Sequence, residues 1–395
     1  MPWKAVSPMS EKMRFITKAQ DGDESFAALC RSFGIARKTG YKWLERYREH
    51  GPKGLEEQPP VAGSNANALS EAQEDVIVAL RREHPSWGPK KLRARLAELG
   101  TCEPLPATST FGAVLKRQGL VRPRRRRPWA PRELTGLTLG TQANDVWCVD
   151  FKGDFMLGDR TRCYPLTITD FSSRYLLCCA ALPSTKETLA REVFERVFGE
   201  FGLPEYIRSD NGVPFASVGL GGLSRLAVWW IKLGITPERI EPGHPEQNGQ
   251  HERMHRTLKS EATRPAQQDM RSQQRAFDRF RHVYNDVRPH EGIALRTPAS
   301  RYSVSSRAMP AELAPLRYPE HMQTRRVDAK GKLHFLGGST YLGALLVGEV
   351  VGLDPVEDGK HDLYFGPALL GTVQMDAGEL VFDTGRRKRR AAVML

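Results

Sequence analysis

Cysteine is scarce in this chain of 395 residues. Six stand at positions 30, 102, 148, 163, 178 and 179, and no two form a C-x-x-C pair. That excludes a disulfide framework and a structural zinc finger, and it fits a reducing compartment. Long apolar runs are missing too. Stretches such as Leu176–Leu182 and Ala227–Ile231 fall far short of the roughly 18 apolar residues that a membrane helix needs. Met1-Pro2-Trp3-Lys4 has no apolar region of the kind a secretory leader carries. The expectation is a cytoplasmic protein with no membrane partner. No internal repeat or heptad run appears, and no aromatic base-stacking signature of an RNA module is visible. What remains is an ordinary globular balance, 40% hydrophobic and 27% charged. At about 100–200 residues per domain, the length suggests two to four domains.

Acidic charge is the other deficit. The net charge is +13, with dense runs at Arg124–Arg127 and Arg386–Arg390. Residues 1–130 hold 24 Lys and Arg against 14 Asp and Glu, or +10 for the first third alone. A regional excess of that size suits a polyanionic partner rather than a merely solvated surface.

The first 130 residues read as helical. Glu11–Gln20 is amphipathic, Ser25–Ser32 carries Phe26, Leu29 and Cys30 on one face, and Lys38–Glu49 comes after a break at Gly34-Ile35. Helix, tight glycine turn and basic helix is the pattern of a helix-turn-helix, with Lys38 and Lys42 as candidate DNA contacts. Gly51–Asn67 reads as a linker. A second helical unit runs from Ser70–Glu83 through a Pro-Gly turn to Lys90–Leu99 and Thr108–Gln118. Its candidate DNA contacts are Lys90, Lys91 and the run Arg124, Arg125, Arg126 and Arg127. Residues 1–60 and 68–125 are therefore expected to be all-α helix-turn-helix modules for double-stranded DNA.

Near Asn144 the texture changes. Strands are expected at Asp145–Phe155, Cys163–Thr169 and Tyr175–Leu182, then a helix at Lys186–Phe201 and a strand at Glu205–Ser209. A helix at Leu223–Leu233, an extended Ile235–Ile240 and helices at Gly249–Arg264 and Gln267–Val287 complete an α/β domain over 140–305 with a mixed sheet. Residues 320–385 show short strands and hairpin turns, as in Lys332–Leu336, Ser339–Leu342, Glu349–Leu353, His361–Phe365 and Gly371–Met375, and suggest a small β-barrel.

Three acids in the α/β region stand where a metal site would need them. Asp150 lies on the first strand, Asp210 just past a strand in Ser209-Asp210-Asn211-Gly212, and Glu252 at the start of a helix. Carboxylates from a strand, a strand end and a facing helix can converge on two hard cations such as Mg²⁺. Trp-x-x-Asp150, Ser-Asp210-Asn-Gly, and Pro242-Gly243-His244-Pro245-x-x-Asn248-Gly249-x-x-Glu252-Arg253-x-His255-Arg256-Thr257-Leu258-Lys259 together resemble the DDE transposases of bacterial insertion sequences, in the retroviral-integrase superfamily. Tyr284-Asn285, Arg288-Pro289-His290 and Thr297-Pro298 are similar to that family's closing signature. The resemblance covers residues 140–300. It implies an RNase H-like core, DNA as substrate, Mg²⁺ or Mn²⁺ as cofactor (two ions per site), and Asp150, Asp210 and Glu252 as metal ligands. It also implies strand cleavage and transfer at the ends of a mobile element, with no covalent enzyme–DNA intermediate. A homo-oligomer on DNA is implied in turn, because two ends must be held together. So is location at the bacterial nucleoid. Arg256 and Lys259, one and two turns beyond Glu252, are placed to meet phosphates.

Other readings compete. Glu246 lies after 35 residues counted from Asp210, a spacing that many integrases share, whereas Glu252 lies after 41. The motif around Glu252 and the loop Ala216–Ser224, a place for extra residues, favour Glu252. His251-Glu252-Arg253-Met254-His255 also matches the H-E-x-x-H helix of zinc metalloproteases, but that leaves the basic modules and Asp150 unexplained. The expectation is that both histidines face DNA or solvent. A phage or retroelement integrase is the neighbouring alternative, and a catalytically inactive DNA-binding regulator is the alternative of another class. Asp170 and Arg174 flank a strand turn and read as capping at least as well as catalytic.

Overall fold

A computed structural model describes residues 8–56, 69–121, 136–217, 219–241, 244–357 and 359–384. Arg124–Arg127 and the Arg386–Arg390 run lie outside the described residues. The chain divides at Ser70 into two compact units. Among the described residues no helix is long and apolar enough to cross a membrane.

The first unit holds α1 (Pro8–Asp21), α2 (Phe26–Ser32) and α3 (Arg37–His50). Ser25 caps α2 by accepting the Ala28 N–H at 3.3 Å. Gly34 makes the turn into α3 at φ +67°, a left-handed conformation that glycine adopts without steric cost. Phe15, Ile16, Leu29, Cys30 and Leu44 form the core. Gly40 lets α3 approach α2 closely, since a Cβ there would stand 2.7 Å from the Cys30 sulfur. The linker starts later than its composition suggests. Gly51–Leu55 is a 3-10 turn, and Leu55 is buried in the same core, because its apolar side chain finds the Phe15–Leu44 cluster within reach.

In the second unit, α4 (Glu71–Glu83), α5 (Pro89–Leu99) and α6 (Thr108–Arg117) enclose Ile77, Leu92, Leu96, Phe111 and Val114. Pro89 starts α5 and Gly100, left-handed, ends it. These helices share a unit with the α/β region because the turn before α5 is bonded to it. Ser86 Oγ meets Glu261, Arg288 lies over Trp87 at 6.0 Å, and Lys90 pairs with Glu291 at 3.7 Å.

The α/β region contains β1 (Val146–Phe151), β2 (Phe155–Met156), β3 (Arg162–Asp170), β4 (Leu176–Leu182), α7 (Glu187–Phe201), β5 (Tyr206–Ser209), α8 (Arg225–Lys232), β6 (Thr236–Arg239), α9 (Gly249–Glu261) and α10 (Met270–His282). The expected single strand 145–155 is broken into β1 and β2 where Gly153 turns the chain at φ +79°. The sheet order is β4-β3-β1-β5-β6, with β2 on the start of β3. β3 runs antiparallel to β1 and β4, and β5 runs parallel to β1 and β6. Strand alternation separates the faces, and a bulge in β4 between Leu176 and Cys178 resets it there. Trp147, Val149 and Cys178 pack under α7 and α8, whereas Leu176 and Cys179 meet Met254 and Leu258 of α9 and Phe277 of α10. The adjacent cysteines thus belong to opposite faces.

The C-terminal region adds β7 (Gln323–Arg326), β8 (Lys332–Phe335), β9 (Gly338–Tyr341), β10 (Val350–Glu357), β11 (Lys360–Phe365), β12 (Ala368–Asp376) and β13 (Glu379–Asp383). Five strands form an antiparallel sheet ordered β13-β12-β11-β10-β7, and β8–β9 is a separate hairpin. Gly338 of that hairpin lies against Leu380 of β13. The result is a half-barrel. Its interior, with Leu353, Leu363 and Phe365, is continuous with the core beneath α7 and α8. Lys232 of α8 bonds Glu349 at 2.7 Å.

Candidate active site

Because Trp147 and Val149 point toward α7 and α8, Asp150 points to the other face, where α9 crosses. It stands opposite Thr167 on β3. Asp210 is the first residue beyond β5. Its Oδ1 accepts the Gly212 N–H at 3.0 Å, and a Cβ on residue 212 would stand 3.0 Å from Oδ2. Asn211 ties the same loop to the end of β6 through the Ile240 carbonyl at 2.8 Å. Glu252 projects, exposed, from the first turn of α9.

The three carboxylates share one electrostatic field. The Asp150 carboxyl is pushed up to about 7, first by burial, then by the negative charge of Asp210, with Glu252 adding a smaller push and Lys152 opposing it. A divalent cation would relieve this repulsion, but among the described residues the three carboxylates do not form a group whose donor atoms all lie within 4.8 Å of one another.

The histidines are not solvated. His251 and His255 are buried beneath α9, because helical spacing places them on the face that covers β1 and β3 while Glu252, Arg253, Arg256 and Lys259 stay exposed. Both Nε2 atoms lie 2.7 Å from the Thr167 hydroxyl, and His251 Nδ1 lies 2.8 Å from the Thr169 hydroxyl. Burial holds His251 neutral, down to about 3, and drives His255 lower still. A zinc-protease helix needs its two Nε2 atoms free to converge on a metal. Here the Thr167 hydroxyl occupies that convergence point. His255 Nδ1 instead faces Asp150 at 3.5 Å, so Asp150, His251 and His255 bring donor atoms within 4.8 Å of one another. Thr167 and Thr169 escaped the sequence reading; threonines two apart on the strand beside Asp150 were the available signal.

The remaining candidates fall into distinct settings. Lys38 and Lys42 are exposed on α3. Lys90 is ion-paired to Glu291, and Lys91 is half-buried at a cavity wall. Asp170 is a turn cap, accepting from Asn144 N, Ser173 N and Ser173 Oγ at 2.6–2.8 Å. The signature after α10 is largely structural. Asn285 clamps both backbone groups of Leu176, Arg288 bonds Glu261 at 2.7 Å, and His290 bonds the Tyr284 carbonyl at 3.1 Å.

Two family models, each described as an integrase core domain, match residues 140–245 and 233–298. The first range contains Asp150 and Asp210 and the second contains Glu252. The chain carries an integrase core. A helix-turn-helix domain model matches residues 11–60, and a homeodomain-like model matches 39–115. The Gag-Pol polyprotein of baboon endogenous virus is 35% identical over 101 residues, 26% of this chain and 6% of that one. That of Koala retrovirus is 30% identical over 128 residues, 32% of this chain and 7% of that one. The chain thus spans under a tenth of the curated relatives it matches. Among solved structures, the HTLV-2 integrase catalytic core domain in complex with magnesium is 14% identical with a TM-score of 0.34, over 42% of this chain and all of that one. A likeness of that size carries no argument about the site.

Proposed function

We propose that the protein is a DNA transposase that binds the ends of a mobile element and catalyses metal-dependent strand cleavage and transfer. The observation that carries this reading is the match of residues 140–245 and 233–298 to integrase core domains, ranges that contain Asp150, Asp210 and Glu252. Four modules divide the task. Residues 1–60 and 68–125 bind DNA, 140–305 is the RNase H-like catalytic core, and the small β-barrel of 320–385 supports it. Asp150, Asp210 and Glu252 would hold Mg²⁺ or Mn²⁺, two ions per site. Such ions activate the attacking oxygen and stabilise the leaving oxygen of an in-line displacement. The chain's own part is to fix the carboxylates. Gly212 and Asn211 set the Asp210 loop, and His255 packs beside Asp150. Arg256 and Lys259 are placed to hold flanking phosphates. The protein works as an oligomer on DNA, at the nucleoid of a bacterial cytoplasm, because both ends must be joined in one complex.

The test is Mg²⁺-dependent nicking of a duplex bearing the element's terminal repeats. Glu252→Gln should abolish nicking and leave end binding intact, and Glu246→Gln should cost little. Nicking that survives Glu252→Gln but not Glu246→Gln overturns the ligand assignment. End binding without any nicking by the unaltered protein favours an inactive regulator.

A further inference from the structure

The turn between β3 and β4 holds Arg174 at φ +69°. Its side chain lines a cavity of about 610 Å³ together with Lys91 of α5, Gln250 and Arg253 of α9, and Arg288 and His290. Nε and Nη1 of Arg174 are buried and have no hydrogen-bond partner among the described residues, and neither has Gln250 Oε1 in the same wall. The guanidinium rests on the Phe171 ring at 5.6 Å. Arg174 is held below its ordinary pKa by burial first and by the positive charge of Arg253 second. The nearby carboxylates are engaged elsewhere. Glu261 bonds Arg288, and Glu291 faces Lys90. Two guanidinium groups therefore repel each other across a cavity, one with donors stripped of water and unpaired. Buried charged donors left so are costly, and a ligand that completes them offsets that cost.

We infer that this cavity is a phosphate-binding site that takes one phosphodiester of bound DNA, gripped jointly by Arg174 and Arg253. This rests on the reading of the chain as a DNA-acting protein. Paired forks match the oxygens of a phosphate bidentately, and the Gln250 amide can donate to the same group once its own oxygen is turned to a guanidinium. Arg253 comes directly after Glu252 on α9, but neighbours along a helix face different directions, so the cavity takes the Gln250, Arg253 and Thr257 flank of the helix rather than the Glu252 flank. Lys91 belongs to the second helical module, so the same phosphate would register that module against the core. The Arg174 turn, unexplained by capping, thereby gains a role.

The test uses the full chain in EDTA with a short random-sequence duplex, so that neither metal nor end sequence enters. Affinity is measured against salt for Arg174→Ala, Arg253→Gln and the double variant. Each single change should weaken binding about five- to tenfold and lower the salt slope by about 1. The double variant should add little, because both side chains hold one phosphate. Arg174→Lys should keep the slope and lose part of the affinity. Wild-type affinity and slope in Arg253→Gln, whose exposed side chain can be changed without unfolding the core, overturns the proposal even if Arg174→Ala fails to fold. Additive losses with a slope change near 2 also overturn it, since they denote separate surface contacts. Inorganic phosphate that stabilises the unaltered protein but not Arg174→Ala, with DNA binding unchanged, assigns the cavity to a free anion and defeats the DNA assignment. A chain that binds no DNA defeats both readings, whereas DNA binding of the expected pattern without nicking leaves the cavity standing and removes only the transposase.

Discussion

The two helical modules near the start of the chain look alike in sequence and behave differently in the fold. Each has three helices around an aliphatic and aromatic core, and each ends its pattern with basic residues. In α1–α3 the cations Lys38 and Lys42 are exposed. In α4–α6 the turn and the start of α5 are joined to the integrase core through Ser86, Trp87 and Lys90. The lesson concerns charge counts. Net charge measures how much a polyanion could be attracted, but only ion pairing decides which cations are open to it.

The comparison breaks most sharply at Arg288. Its side chain, 7% exposed, bonds Glu261 and lies near Ser86 and Trp87. Arg288→Ala should lower the unfolding free energy of the second unit by about 3 kcal/mol, because it strands a partly buried carboxylate. Calorimetry should show that transition shifting while the transition of the first unit stays in place.

Asp150 offers the next largest effect, as a buried carboxyl in the second unit whose burial and acidic neighbours outweigh the cation of Lys152. Its carboxyl is raised to about 7, so the folded state binds a proton that the unfolded state releases. The resulting destabilisation is absent at about pH 4, develops as pH rises through 7, and is complete above it. Asp150→Asn should therefore stabilise metal-free protein at pH 8 by about 2 kcal/mol and leave it unchanged at pH 4. Urea titrations at the two pH values check this.

The basic faces sharpen the contrast at lower energy. Replacing Lys38 and Lys42 together with alanine should weaken DNA binding about tenfold and reduce the salt slope by about 2, without altering thermal stability. Lys90→Ala is the smallest change. Its pair with Glu291 is 3.7 Å long and exposed, so stability should move by less than about 0.5 kcal/mol and DNA affinity by less than about twofold. A loss from Lys90→Ala equal to that from the α3 pair would erase the distinction between the modules.

Much of the fold was legible in the residues. Glycine turns and apolar spacing located α1–α10 within a few residues, and the acids at a strand, a strand end and a helix start stood out by position. Strands without alternation did not. Gln323–Arg326 is exposed along its whole length, so no period-2 signal marks it, and only the backbone bonds of β10 make it a strand. Leu55 was hidden by its Pro- and Gly-rich surroundings, although one apolar side chain suffices to bring a turn into a core.

The α9 segment divides what each level determined. Sequence alone set the helix, the place of Glu252 in its first turn, and the spacing that puts His251 and His255 on a common side. It also set the surplus of basic charge that calls for a polyanion. Local spacing is a property of the chain itself, because a helix has one period whatever surrounds it. Which side faces inward is not. Only the tertiary structure placed β3 beneath α9, where Thr167 takes both histidines and the same helix turns Arg253 toward Arg174, nearly eighty residues earlier. Burial and pairing between distant segments depend on the packing of whole layers, and that information is not carried by any one stretch of sequence.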